Sequence, residues 1–427
     1  MKPTDHYTLI SADTHAGADL RAYRPYLEQR YHADFDAWAA GMETQMEAMR
    51  ELMGPRSVGV DGDPIVDGNR NYDSARRLRE LESDGIVAEV IFPNTQPPFA
   101  PRAGILFAAP PVGDSPEHRW AGLRAHNRWL ADFCAEAPGR RAGVAQIMLA
   151  NVDGSVAEIE WARERGLTGG VLLPGAPPGS GVEPIYAAEY EPIWAACEDH
   201  GMPLNHHAGG GVPDFGAHFP ASMAMFMLEV TWWGHRALWH LMFSGVFERH
   251  PSLQYTTTET GSAWIVDTLA ELDSFYGRMR RGGQGSEAIF GAPTVENLSL
   301  RPSEYFARQC HLGSSFLRPV ECAMRHQIGV DKIMWGADYP HIEGSFPYTR
   351  PHLRRTFAGV DPAEVTRMVG GNAAELYGFD LDFLAPLAQR LGPTVAEVGE
   401  PLPYSEVPEA AHKCPALAPQ SQVAHAL

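Results

Sequence analysis

The chain is poor in cysteine, poor in positive charge and free of long apolar runs. Its five cysteines, Cys134, Cys197, Cys310, Cys322 and Cys414, are widely spaced, odd in number and form no C-x-x-C pair. That excludes a disulfide framework and a thiolate zinc site, and it suits a reduced compartment. Lys and Arg number 34 against 53 Asp and Glu, a net charge of −19. Nucleic acid and anionic membrane are thereby excluded as general partners. No stretch approaches the roughly 18 consecutive apolar residues of a membrane span, and the opening Met1-Lys-Pro-Thr-Asp has no signal-peptide core. The expectation is a soluble, cytoplasmic protein. No internal repeat is visible.

What is present is a chain of 427 residues, 44% hydrophobic and 20% charged, ordinary for a globular enzyme. Short apolar runs alternate with longer helical patterns, as βα units around a parallel sheet do. The pattern predicts strands at Tyr7–Ile10, Ile86–Phe92, Arg141–Met148, Gly170–Leu173, Pro203–His207, Leu253–Thr258, Phe306–Gly313 and Lys332–Trp335. Helices are expected between them, including a long one over Met225–Phe247 and a closing one over Pro362–Tyr377 broken at Gly370-Gly371. A Gly/Pro/Asp-rich loop is expected around Val58–Arg70. A single (β/α)₈ barrel over residues 1–380, followed by a Pro/Ala-rich, partly irregular C-terminal arm over 381–427, is the economical reading.

In such a barrel the chemistry sits at the C-terminal ends of the strands, and those ends here carry metal-type donors. The first offers Asp13 and His15, whose i, i+2 spacing puts both side chains on one face of an extended segment. The fifth offers His206-His207 and the sixth Glu259. The eighth runs into Trp335-Gly-Ala-Asp338-Tyr-Pro-His341-Ile-Glu343. Carboxylates and imidazoles crowded where a buried strand ends lose several kcal/mol each, roughly 2–7 for even a neutral polar group, unless they are partnered. A bound cation satisfies them together. Glu259 and His341 are in addition candidates for acid–base work. No Lys stands at a strand end to form a carbamylated bridge, which argues against the standard binuclear hydrolase centre. Phe92, Asn94, Trp232, Trp233, Trp264, Arg70 and Arg76 are candidate substrate contacts, although the aromatics are equally plain core, and Arg76 with Arg77 and Arg79 is equally one solvated helix face.

At these residues the chain resembles the amidohydrolase-related family of metal-dependent TIM barrels, which includes decarboxylases of aromatic and muconate-type acids. The match runs through Asp13-Thr-His15, Asp84-Gly-Ile to Phe92-Pro93, Pro203 to His207, Glu259-Thr-Gly-Ser-Ala-Trp264, the string at 335–343 and Gly371 to Tyr377. The resemblance implies His15, His207 and Asp338 as metal ligands. Two positions depart from it: Asp13 stands where His or Glu is usual, and Glu259 where a catalytic His is usual. Asp13, His15, His206, His207, Glu259, Asp338, His341 and Glu343 exceed the three or four protein ligands of one zinc. The surplus resembles a branch of the family with nonheme di-iron monooxygenases of diterpenoid natural-product biosynthesis. That resemblance implies two Fe ions, O₂ as co-substrate, an electron donor, and an apolar, CoA-linked substrate; a homo-oligomer, as a dimer, is a separate expectation. The alternative is a mononuclear Zn or Mn decarboxylase or hydrolase acting on a carboxylic acid or ester.

Overall fold

The computed structural model describes residues 1–54, 68–94, 97–100, 115–176, 181–213, 215–216, 218–281 and 285–419. The loop expected around Val58–Arg70 therefore lies, up to residue 67, outside the described residues. Among the described residues nine parallel strand segments follow in chain order: β1 (Leu9–Ala16), β2 (Ile86–Pro93), β3 (Arg141–Gly143), β4 (Ala145–Gln146), β5 (Val171–Leu172), β6 (Leu204–His207), β7 (Tyr255–Thr258), β8 (Cys310–Ser315) and β9 (Ile333–Gly336). β3 pairs with β2 and β4 with β5, and only Val144 separates them, so they are two halves of one stave. Eight staves result. The last meets the first where Asp338 N–H donates to Asp13 O and His15 N–H donates to Tyr339 O, with Thr14 and Tyr339 bridged in parallel. This is the (β/α)₈ arrangement that the sequence pattern predicts.

Alternation along the strands divides the core in two. Ile10, Ala12, Val90, Phe92, Val144 and Met334 pack with Ala373, Tyr377 and Leu384 of the C-terminal helices. The larger cluster joins the outer strand faces to the surrounding helices, with Trp194, Phe247, Tyr305 and Trp335 nearly inaccessible to water. The closing helix is interrupted as expected. It is α-helical over Pro362–Thr366 and Asn372–Tyr377, with a π-turn over Arg367–Gly371 between them. A Cβ on Gly370 would lie 2.1 Å from the Thr8 carbonyl oxygen, so glycine is what lets this helix approach the start of β1.

Three boundaries differ from the sequence expectation. The first strand continues to Ala16, so Asp13 and His15 lie within it. Phe306–Gln309 belongs to the helix Pro302–Gln309, with Pro302 at its first turn and Tyr305, Phe306 and Gln309 buried at helical spacing; the seventh stave is Cys310–Ser315. The long helix covers Ala221–Phe243 and stops before Gly245, a left-handed residue that opens the short helix Val246–Arg249. Among the described residues no helix is long and apolar enough to cross a membrane.

Candidate metal centre

β1 changes face midway. Its register against β2 shifts between Ser11 and Thr14, a bulge that inserts an extra residue. Before the bulge Ile10 and Ala12 pack in the inner cluster. After it, Thr14 Oγ1 donates to Glu89 and to Val90 O, while Asp13 and His15 turn to the mouth. There His15 Nε2 lies 3.3 Å from Asp13 Oδ1 and 3.1 Å from Asp338 Oδ1. His207 Nε2 lies 3.3 Å from Asp13 Oδ1 and 3.4 Å from Glu259 Oε2. Donor atoms of Asp13, His15, His207 and Glu259 all fall within 4.8 Å of one another, as do those of His15, Glu259, Asp338 and His341.

The backbone orients both imidazoles. His15 Nδ1 faces Pro93 O at 3.3 Å and His207 Nδ1 faces Ala208 O at 3.1 Å. A proton on Nδ1 satisfies each carbonyl and leaves each Nε2 with a lone pair toward the cluster, the arrangement of metal-ligating histidines. Among the described residues His15 Nε2 and Asp338 Oδ2 are buried without a hydrogen-bond partner, which fits a cation between them. Asp13 Oδ2 accepts from Ser315 Oγ, at the end of β8. Glu259 and Asp338 both adopt left-handed backbone, with φ of 57° and 55°. Such residues are uncommon outside glycine and gather at functional sites.

Charge crowding sets the proton affinities. Burial raises the Asp13 carboxyl, but His207 and His15 beside it outweigh burial and hold it far below the usual carboxylate range. Burial lowers the His15 imidazole, but Asp13 and Asp338 outweigh it and keep it protonated well above its ordinary range when no cation is bound. Burial, with Asp338 and Asp13 adding like charge, pushes the Glu259 carboxyl well above its ordinary value.

Not every expected donor converges. His206 precedes His207 on β6 and so faces the opposite side. Both its ring nitrogens are buried without partners, and burial followed by the His207 charge lowers it to about 4. A Cβ on Gly210 would stand 2.7 Å from His206 Cε1, so the glycine loop closes over this ring and away from the centre. Glu343 likewise stays outside both donor groups. His341 belongs to the second group, but both its nitrogens have partners: Nδ1 meets Asp338 Oδ1 at 2.8 Å and Nε2 meets Asn94 Oδ1 at 3.0 Å. Asn94 in turn donates to Asn71.

Of the expected substrate contacts, Phe92 is at the centre, its ring 4.7 Å from His207 and 6.0 Å from His15. Arg70 and Arg76 both donate to Glu80, which also accepts from Tyr339. Trp264 stacks on His235 at 3.7 Å, behind the strand end that carries Glu259. Trp232 is half exposed on the helix Ala221–Phe243 and packs against Trp233, which donates to Glu229. The Arg236 guanidinium lies over both rings, 5.6 Å and 4.5 Å from their centres.

Sequence reasoning missed the support beneath β1. Arg77, fully buried, donates to both oxygens of Glu89 and to His15 O, and Arg141 pairs with the same carboxylate. A Thr14–Glu89–Arg77 grouping spans distant segments and leaves no local signature; the Ser-Ser ending of β8 was the one legible hint of Ser315. Arg77→Met leaves Glu89 buried with one partner fewer, and is expected to destabilise the fold by about 3–5 kcal/mol. A shift below about 0.5 kcal/mol in urea unfolding would show the network to be dispensable.

A family model described as Amidohydrolase matches residues 87–379. Among curated proteins, gamma-resorcylate decarboxylase of Rhodococcus jostii (strain RHA1) is 24% identical over 288 residues, covering 64% of this chain and 82% of that one. Among solved structures, 5-carboxyvanillate decarboxylase of Sphingomonas paucimobilis superposes with a TM-score of 0.63 at 19% identity, covering 88% of this chain and 100% of that one. Dihydroxybenzoic acid decarboxylase of Polaromonas sp. JS666, solved with bound manganese and 2-nitroresorcinol, gives a TM-score of 0.57 at 17% identity, covering 87% and 97%. These relatives are decarboxylases, and manganese is the metal named with one of them, which corrects the expectation of a di-iron monooxygenase using O₂, an electron donor and a CoA-linked substrate. The physical reason is in the donors: the surplus that suggested two irons shrinks when His206 and Glu343 stand apart and His341 is held on both sides. The matched segment covers more than half of the chain, which belongs to the amidohydrolase family.

Proposed function

We propose that the protein is a redox-neutral, metal-dependent decarboxylase of an aromatic acid, with one divalent ion held by Asp13, His15, His207 and Asp338. The single observation that carries the reading is the buried, unpartnered pair His15 Nε2 and Asp338 Oδ2 at the mouth of a barrel similar to those of aromatic-acid decarboxylases. When bound, such an ion supplies positive charge that holds a carboxylate and a neighbouring ring oxygen.

The chain supplies the rest. Phe92 offers an apolar face for a ring beside His207. Loss of CO₂ requires a proton at the carbon that carried the carboxylate, and Glu259 takes the position from which the family's usual His is missing. Burial is the largest cause of the raised Glu259 carboxyl, with the Asp338 and Asp13 charges adding to it. Glu259 is therefore assigned the carboxylic acid that supplies this proton. It passes that proton to the ring carbon; the C–C bond breaks, its electron pair returns to the ring, and CO₂ leaves. The Glu259 carboxylate then regains a proton from water at the mouth. His341, fixed between Asp338 and Asn94, orients the carboxylate of Asp338.

With Mn²⁺ added, the protein is expected to release CO₂ from an ortho-hydroxybenzoate such as 2,6-dihydroxybenzoate or from 5-carboxyvanillate under strict anaerobiosis, and to stop on chelation. Turnover that consumes O₂, or the absence of CO₂ from every ortho-hydroxy aromatic acid tried, would defeat the reading.

A further inference from the structure

A line of three hydrogen bonds runs from the Gly68 carbonyl to the ring of His341, and the carbonyl fixes the direction of each. Asn71 meets Gly68 O through Nδ2 at 2.9 Å. A carbonyl oxygen only accepts, so Asn71 must donate there, and its amide can be turned in only one way. Its Oδ1 is then the acceptor on the other side, and Asn94 donates to it from Nδ2. That leaves Asn94 Oδ1 to accept from His341 Nε2 at 3.0 Å, which turns His341 Nδ1 to Asp338 Oδ1 at 2.8 Å.

Both amides are mounted on the end of β1, the strand that carries Asp13 and His15. Asn94 N–H donates to Ala16 O, and Gly17 N–H donates to Asn71 O. Asn71 is fully buried. The imidazole at the far end of the line touches two of the four ligands. It bonds Asp338, and its ring stacks on that of His15, with centres 4.1 Å apart and planes 29° from parallel. His341 also belongs to a group, with His15, Glu259 and Asp338, whose donor atoms fall within 4.8 Å of one another. An imidazole with Nε2 unclaimed is free to turn toward a cation in that group. Held at Nε2 by Asn94, it stays where it supports Asp338 and His15.

We infer that Asn94 is a positioning residue of the metal centre: through His341 it fixes the orientation of Asp338 and His15, and with it the affinity for the ion. This differs from the substrate contact that the sequence suggests for Asn94. It rests on the metal-centre reading above and extends that reading to a residue outside the ligand set.

The test is calorimetric titration of Mn²⁺ into the full chain after treatment with a chelator. Asn94→Leu keeps the bulk of the side chain and removes both polar ends. It is expected to weaken Mn²⁺ about tenfold, the lower end of what losing a partner behind a ligand costs. His341→Phe keeps a ring against His15 and removes both nitrogens, and is expected to weaken Mn²⁺ at least as much. Added to His341→Phe, Asn94→Leu is expected to cost less than about twofold more, because two groups that act through one ring are not additive. A merely structural role for Asn94 would give the same loss in both backgrounds. Should Asn94→Leu melt far below the unaltered protein, Asn94→Ala carries the same comparison. An Asn94→Leu affinity within about twofold of the unaltered protein, or an equal loss with and without His341, overturns the inference and leaves the decarboxylase reading standing. If the unaltered chain binds no Mn²⁺, both fall.

Discussion

Asp338→Asn is expected to remove the metal while leaving the fold. Among the described residues the carboxylate oxygen Oδ2 is buried without a hydrogen-bond partner, while Oδ1 is the one that meets His341 and His15. Asn keeps the size and tolerates the left-handed backbone that residue 338 adopts, whereas Ala does not. The backbone N–H that closes the barrel on Asp13 O is unaffected. Losing a partner behind a ligand costs about 10–100-fold in metal affinity, and losing the ligand itself is expected to exceed 100-fold. The measurement is metal content after dialysis against a weak chelator, together with a thermal melt of the chelated protein. An Asn variant that retains stoichiometric Mn²⁺ would remove Asp338 from the ligand set.

Glu259→Gln is expected to keep the metal and lose the chemistry. Gln preserves the shape of Glu259 but carries no transferable proton, and general-acid contributions run to about 10²–10⁴ in rate. The sign of the pH dependence follows from the raised carboxyl of Glu259. Its proton is present below that raised pKa and lost above it, so the rate of the unaltered protein falls as pH rises through it. In the Gln variant that limb of the profile should vanish. Metal loss on this substitution would instead make Glu259 a ligand, since its Oε2 lies 3.4 Å from His207 Nε2 and either role is within reach geometrically.

Much of the barrel is legible in the chain because each stave is a short apolar run between helical stretches, and period-based patterns are local. Seven of the eight expected strand positions overlap observed staves, six with modest changes of end and the first running six residues further, to Ala16. The seventh was displaced because Tyr305, Phe306 and Gln309 bury at helical spacing, and a short apolar run cannot by itself separate strand from helix. The β1 bulge was illegible, since it is defined against β2, 75 residues away at the Thr14–Glu89 contact.

The sequence by itself determined the donor types and the strands that carry them: Asp13 and His15 on the first, a histidine on the fifth, Glu259 on the sixth and Asp338 after the eighth. Spacing along one strand is enough for that, because side chains alternate with a period of two. Only the tertiary structure decided between His206 and His207, bound His341 to Asp338 and Asn94, and left Glu343 aside. Those outcomes depend on which atoms from different staves come within about 3 Å, and that distance is set by closure of the barrel. The same holds for the C-terminal segment, whose Leu402, Val407, Cys414 and Leu417 pack on Phe316 and Tyr348 from a distant part of the chain.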